Sequence, residues 1–87
     1  MYRIQFARSV FKDLKGLPKE AQNKAFEIVH NLLADDPFIG KPLTGEYKGL
    51  WKFRFGNYRI IYSIEKFRLI ILILRIRHRK EVYRGEI

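Results

Sequence analysis

Residues 51–62 read WKFRFGNYRIIY, and no other stretch limits the fold as tightly. Trp51, Phe53 and Phe55 alternate with Lys52 and Arg54. After Gly56 and Asn57 come Tyr58, Arg59, Ile60, Ile61 and Tyr62. Period-2 runs of aromatic and β-branched residues around two turn-forming residues predict a β-hairpin. Glycine at the first turn position supplies the positive φ of a two-residue II′ turn. That turn sets Phe55 against Tyr58, Arg54 against Arg59, Phe53 against Ile60, Lys52 against Ile61 and Trp51 against Tyr62. Directly opposed residues share a face. One face therefore collects Trp51, Phe53, Phe55, Tyr58, Ile60 and Tyr62, which make a core. The other carries Lys52, Arg54 and Arg59 with Ile61 and Ser63. Opposed like charges destabilise a pair by about 0.2–1 kcal/mol, so water, salt or a bound anion must offset Arg54 against Arg59. A solvated outer face explains one such pair as well as an anion site does, and the remaining sequence has to decide.

Charge is distributed unevenly. Of the formal +9, residues 1–47 contribute seven Lys/Arg against six Asp/Glu, and residues 48–87 contribute eleven against three. The excess begins at the hairpin. Such an asymmetric basic surface is the footprint expected for a polyanion, nucleic acid first. A membrane surface would call for a basic amphipathic helix, whereas these cations fall mostly on strands. An acidic protein partner is compatible with the same surface. Cysteine is absent, so neither a disulfide framework nor a thiolate metal site is available. The opening MYRIQFARS lacks the apolar stretch of a signal peptide. The longest apolar run, Leu69–Leu74, spans six residues, far below the roughly 20 of a membrane span. A cytoplasmic protein is expected.

Along the chain, YRIQF at residues 2–6 alternates as a short strand. Ser9 is placed to cap a helix to about Lys15, with Val10, Phe11 and Leu14 inward. Gly16 ends it. Pro18 suits the first position of a second helix, which carries Ala21, Ala25, Ile28, Val29, Leu32 and Leu33 on one stripe. Asp35, Asp36 and Pro37 stop that helix near Ala34. Residues 37–49 hold three glycines and two prolines and read as a loop. After the hairpin come a turn near Glu65–Phe67 and an apolar strand from Leu69, continuing through Arg75–Arg77. The expectation is one α+β domain over residues 1–87, ordered βααβββ. A helical hairpin packs on one face of a small twisted, mainly antiparallel sheet, and Lys52, Arg54 and Arg59 point away from it.

PLTGEYKGLWKFRFGNYRIIY, followed by RIRHRKEVY after an apolar strand, resembles the RelE/ParE toxin superfamily of toxin–antitoxin modules. The resemblance covers nearly the whole chain. It implies the RelE-like fold and, within the superfamily, the RelE branch, whose members cleave messenger RNA at the ribosome without metal or cofactor. The ParE branch, which poisons DNA gyrase without nuclease activity, is the alternative. Carried over by motif position, the resemblance implies Lys52, Arg54, Arg59, Arg77 and Tyr83 as the catalytic set. It also implies a small cognate antitoxin as partner, with ribosome and messenger RNA, and no membrane. Such an antitoxin is expected to cover the basic face or displace the C-terminal tail, with Ile61 in its footprint.

RNA cleavage of this kind uses the ribose 2′-OH as nucleophile. It needs a base, an acid for the leaving 5′-oxygen, and positive charge for the phosphorane-like transition state. Arginine, with its planar fork, suits the last task. For base and acid, Lys52 or Arg54 and Tyr83 are available, and dense positive charge lowers lysine and tyrosine pKa values. His78 is the competing acid–base group. Arg77 and His78 point to opposite faces of a continuing strand, so only one joins Arg59. A three-residue loop after Ile64 would place Ile73, Arg75 and Arg77 on that face. A two-residue loop would place the even-numbered residues there. The resemblance favours Arg77. His78, Arg79, Lys80 and Arg75 are expected to touch RNA, and His30 to be structural.

Overall fold

The protein is described by a computed structural model covering residues 1–82. Its elements are β1 (Arg3–Phe6), α1 (Arg8–Lys15), α2 (Lys19–Ile28), β2 (Lys41–Pro42), β3 (Leu50–Phe55), β4 (Tyr58–Glu65), β5 (Ile70–His78) and α3 (Arg79–Val82). A π-helical turn, Val29–Leu33, extends α2. The five strands form one sheet in the order β1-β5-β4-β3-β2. β1 runs parallel to β5 and the other pairs are antiparallel. The architecture is the expected α+β one. The sheet is wider by β2, which lies inside the segment read as a loop and pairs Lys41 with Lys52 and Pro42 with Trp51. An edge position tolerates proline, because one side of the strand needs no donor.

The hairpin register is the predicted one at all five opposed pairs, and Leu50 adds a sixth against Ser63. Of the two turn residues, only Gly56 has a positive φ, 55°. The helices press Val10, Leu14, Ala25, Ile28, Val29 and Leu33 onto Ile60, Tyr62, Ile71, Ile73 and Ile76. Burying such side chains contributes about 1.5–3 kcal/mol each, which fixes the face that β3, β4 and β5 must turn inward.

Two expected core residues are not in the core. Phe11 is 58% exposed and Leu32 46% exposed. α1 has only eight residues, and its i, i+4 pair Val10 and Leu14 already meets the sheet, leaving Phe11 about 100° round the axis. Leu32 sits in the wide turn closed by Ala34 N–H to Val29 O at 3.0 Å. A π turn has more residues per revolution than an α turn, so Leu32 rotates off the stripe that Val29 and Leu33 keep. Pro18 is the N-cap of α2 rather than its first residue.

Ser9 does not cap α1, whose N-cap is Ala7 with no side-chain bond. Its hydroxyl donates instead to Leu74 O at 2.6 Å, and Asp13 accepts from Ile76 N–H at 3.1 Å. β1 covers the edge of β5 only from Ile70 to Ile73. Beyond that point, α1 side chains take the strand's unpaired backbone groups, as buried polar groups require.

The β4–β5 turn also departs from expectation. Glu65 pairs with Ile70, so the loop is residues 66–69, with Leu69 at φ 55°. This register, like a two-residue loop, would put even-numbered β5 residues opposite odd-numbered β4 residues. A register shift then follows between Ile61 and Tyr62: Tyr62 opposes Ile73, and Ile61 opposes Arg75. Leu74 is the extra residue, a β-bulge. Ile73, expected beside Arg59, is therefore fully buried in the core, while Arg75 and Arg77 return to the outer face.

Candidate functional site

Arg54 opposes Arg59, and Arg59 opposes Arg77. Three guanidinium stems thus stand in one row across β3, β4 and β5, on the face away from the helices. The next row runs from Lys41 on β2 through Lys52 on β3 and Ile61 on β4 to Arg75 on β5. Opposed Cα atoms in such ladders lie about 4.5–5.5 Å apart, close enough for several cations to reach one phosphate.

The environment of this cluster is strained electrostatically. Lys52 is held below the ordinary lysine range, first by burial and then by the charges of Arg59, Lys41 and Arg54. Arg59 Nε is buried and has no hydrogen-bond partner among the described residues. A buried unsatisfied donor typically costs about 1–3 kcal/mol, and an anion oxygen would relieve that cost. Ile61, expected in an antitoxin footprint, is 3% exposed.

The other expected residues separate. Arg75 lies in the second row, but its guanidinium forms a two-point pair with Asp13, Nε to Oδ2 at 3.0 Å and Nη2 to Oδ1 at 2.9 Å. This pair ties the sheet to α1. His78 opposes Tyr58, on the face opposite Arg77. Their rings meet edge to face with centroids 5.3 Å apart, and His78 Nδ1 accepts from Lys80 N–H at 3.2 Å. Arg79 and Lys80 are exposed on α3, and Arg79 N–H reaches Asn57 O at 2.7 Å, tying that helix to the hairpin tip. Tyr83 lies outside the described residues. His30, expected to be structural, is exposed and stacks on Phe26 with the planes 17° apart.

Two hollows border the cluster. A groove of about 450 Å³ runs between α1 and the end of β5, where Lys12, Tyr58, Arg77 and His78 join the Asp13–Arg75 pair. A smaller hollow of about 150 Å³ lies between Ile39–Lys41 and Lys52–Arg54. Sequence reasoning missed Lys41 and Asp13. Lys41 sits in a Gly/Pro-rich stretch with no alternation to mark a strand, and nothing distinguishes Asp13 from any other helix acid until β5 is laid beside it. Among the described residues no helix is long and apolar enough to cross a membrane.

Comparisons with known proteins fit this geometry. The family described as "ParE toxin of type II toxin-antitoxin system, parDE" matches residues 4–83. Toxin RelG of Mycobacterium tuberculosis is 33% identical over 84 residues, covering 95% of this chain and 97% of that protein. A chain of the RelBE2 toxin–antitoxin complex from the same organism superposes with a TM-score of 0.84 at 32% identity, covering 88% of this chain and 96% of the other. A chain of the archaeal RelE–RelB complex of Pyrococcus horikoshii gives 0.71 at 30% identity, covering 90% and 94%. The fold is that of the RelE-like toxins, two helices on a five-stranded, mostly antiparallel sheet. The chain belongs to the RelE/ParE family of toxins from type II toxin–antitoxin systems.

Proposed function

We propose that this toxin is a metal-independent endoribonuclease that cleaves messenger RNA at the ribosome in the cytoplasm. The observation that carries the reading is the shared row of Arg54, Arg59 and Arg77 beside Lys52. In the proposed reaction the ribose 2′-oxygen attacks the adjacent phosphorus, the bond from phosphorus to the 5′-oxygen breaks, and a 2′,3′-cyclic phosphate and a 5′-OH result. Lys52, shifted toward its neutral form, takes the 2′-OH proton. Arg59 and Arg77 neutralise the charge that builds on the non-bridging oxygens, and Arg59 Nε supplies an unused donor. Tyr83, by resemblance, exchanges a proton with the leaving oxygen. Positioning of the message by the ribosome makes up for a weak base, since orientation alone is worth several kcal/mol.

Relatives crystallised as toxin–antitoxin complexes support a cognate antitoxin as the partner that masks this face. A second reading, gyrase inhibition without nuclease activity, is favoured by the ParE description of the matching family. Expression followed by mapping of messenger-RNA 5′ ends separates the two. Codon-phased cuts with 5′-OH ends, lost in Arg59→Ala and Arg77→Ala, are expected. DNA breakage with intact message would overturn the nuclease reading in favour of the second.

A further inference from the structure

β2 pairs with β3 only through Lys41 and Pro42. Among the described residues the outer edge of β3 beyond Lys52 therefore carries no further strand. The ladder bond from Leu43 N–H to Leu50 O, 2.8 Å, sets the alternation of that edge. By it, the N–H and C=O of Lys52 and then of Arg54 turn outward in the same direction. The hollow of about 150 Å³ opens here, with Ile39 and Phe53 as apolar walls and Lys41, Lys52 and Arg54 around it. Among the described residues no carboxylate lines it. Its volume equals about five waters at roughly 30 Å³ each, room for one flat heteroaromatic ring.

The hollow is held in shape by the core. Tyr62, fully buried, donates its hydroxyl to Pro37 O at 2.7 Å and so anchors the turn that leads into Ile39. Gly40 lies so tightly between Tyr62 and β3 that a methyl group there would stand 2.5 Å from Lys52 O and collide with the Tyr62 hydroxyl. The walls are thus fixed relative to the lysine that the proposed chemistry uses.

We propose that this hollow is a nucleobase subsite for the RNA nucleotide next to the scissile phosphate, with Lys41 gripping the adjoining phosphate. Ile39 packs on the face of the base, and the backbone edge of Arg54 presents a donor and an acceptor to its rim. Lys41 would also act through Lys52 as a positioning residue. The charges facing Lys52 come from Lys41 on β2, Arg54 on its own strand and Arg59 on β4. The subsite rests on the nuclease reading for its ligand class, but its test does not require cleavage.

The test is a titration of the full-length protein with a non-cleavable 2′-O-methyl trinucleotide and with versions lacking one base at a time. Wild-type protein is expected to bind at least about fivefold more weakly when one particular base is removed, the range of a single stacked base. Ile39→Ser should bind the intact trinucleotide more weakly by a similar factor and be indifferent to that base. Lys41→Gln should reduce the slope of log affinity against log salt by about 0.7. In the cleavage assay, Lys41→Gln should move the alkaline-rising limb of the pH profile to higher pH. Equal wild-type binding of intact and base-free trinucleotides, or an unchanged salt slope in Lys41→Gln, would overturn the subsite. If base-dependent binding holds while ribosome-bound message stays uncut, the nuclease reading fails and the subsite stands.

Discussion

Substituting Asp13 by alanine tests how the arginine row is kept on its face. The Asp13 carboxylate accepts from Arg75 Nε, Arg75 Nη2 and Ile76 N–H at 3.0, 2.9 and 3.1 Å. Asp13 is 8% exposed and Arg75 32%, so this is a partly buried pair. Breaking a fully buried pair costs about 3–5 kcal/mol, and the access of water to Arg75 reduces that. The lost bond to Ile76 leaves a strand N–H without its partner and adds roughly 1 kcal/mol. A loss of about 2–3 kcal/mol is expected for Asp13→Ala. At about 4–8 °C per kcal/mol for a domain of this size, Tm should fall by roughly 10–20 °C in a thermal melt. A double-mutant cycle with Arg75→Met identifies the pair as the source: coupling of at least about 1 kcal/mol is expected for residues in direct contact. Additive effects would refute the reasoning. So would an Arg75→Met variant that melts like wild type but binds RNA less tightly, because Arg75 would then serve RNA rather than the helix.

Three further outcomes follow from the same geometry. Arg59→Ala should lower cleavage by about 10²–10³ in a single-turnover ribosome assay while raising stability slightly, since it relieves both like-charged pairs in its row, each worth about 0.2–1 kcal/mol. Gly40→Ala should destabilise by about 1–3 kcal/mol in urea unfolding, the usual cost of an inserted methyl where neither neighbour can move. Stability should also respond to alkali in two opposite ways. Lys52, shifted below its ordinary value of 10.5, binds fewer protons folded than unfolded, so stability rises with pH between its folded value and 10.5. Tyr62, pushed up by burial from 10.0 to about 12, keeps its proton longer when folded, so its contribution is complete below pH 10 and is lost as pH rises through about 12. Lys52→Met should abolish the first trend and Tyr62→Phe the second in denaturation curves taken across that range.

The hairpin was fully legible in the sequence, because a two-residue turn leaves one register and aromatic alternation leaves one inward face. The row Arg54–Arg59 came with it. What extends that row to Arg77 was not legible. The loop at residues 66–69 carries no Asn-Gly or Gly-X signal, and a bulge has no residue signature when, as at Leu74, it falls within an apolar run. The expected side for Arg77 was right, but the three-residue loop offered for it was not: loop and bulge together give the same parity. The outward turn of Leu32 depends on a π turn that helical periodicity cannot reveal. Ser9, with the usual composition of a cap, serves a strand 65 residues away, a partner visible only after β5 lies beside α1. Lys41 was missed because a two-residue edge strand has too few positions to show a period.

The bulge at Leu74 also divides β5 into two stretches with separate tasks. Residues 70–73 carry no charge, whereas residues 75–78 put Arg75 and Arg77 outward and keep Ile76 in the core. Loss of this single leucine would leave the protein's net charge and every guanidinium intact. It would also leave their facing intact, because the ladder would close with Arg75 still opposite Ile61 and Arg77 still opposite Arg59. Drawing Leu74 into the ladder opposite Ile61 would instead turn Ile76 and His78 outward and both arginines inward. The side on which those cations stand is thus set by a residue that pairs with nothing on β4.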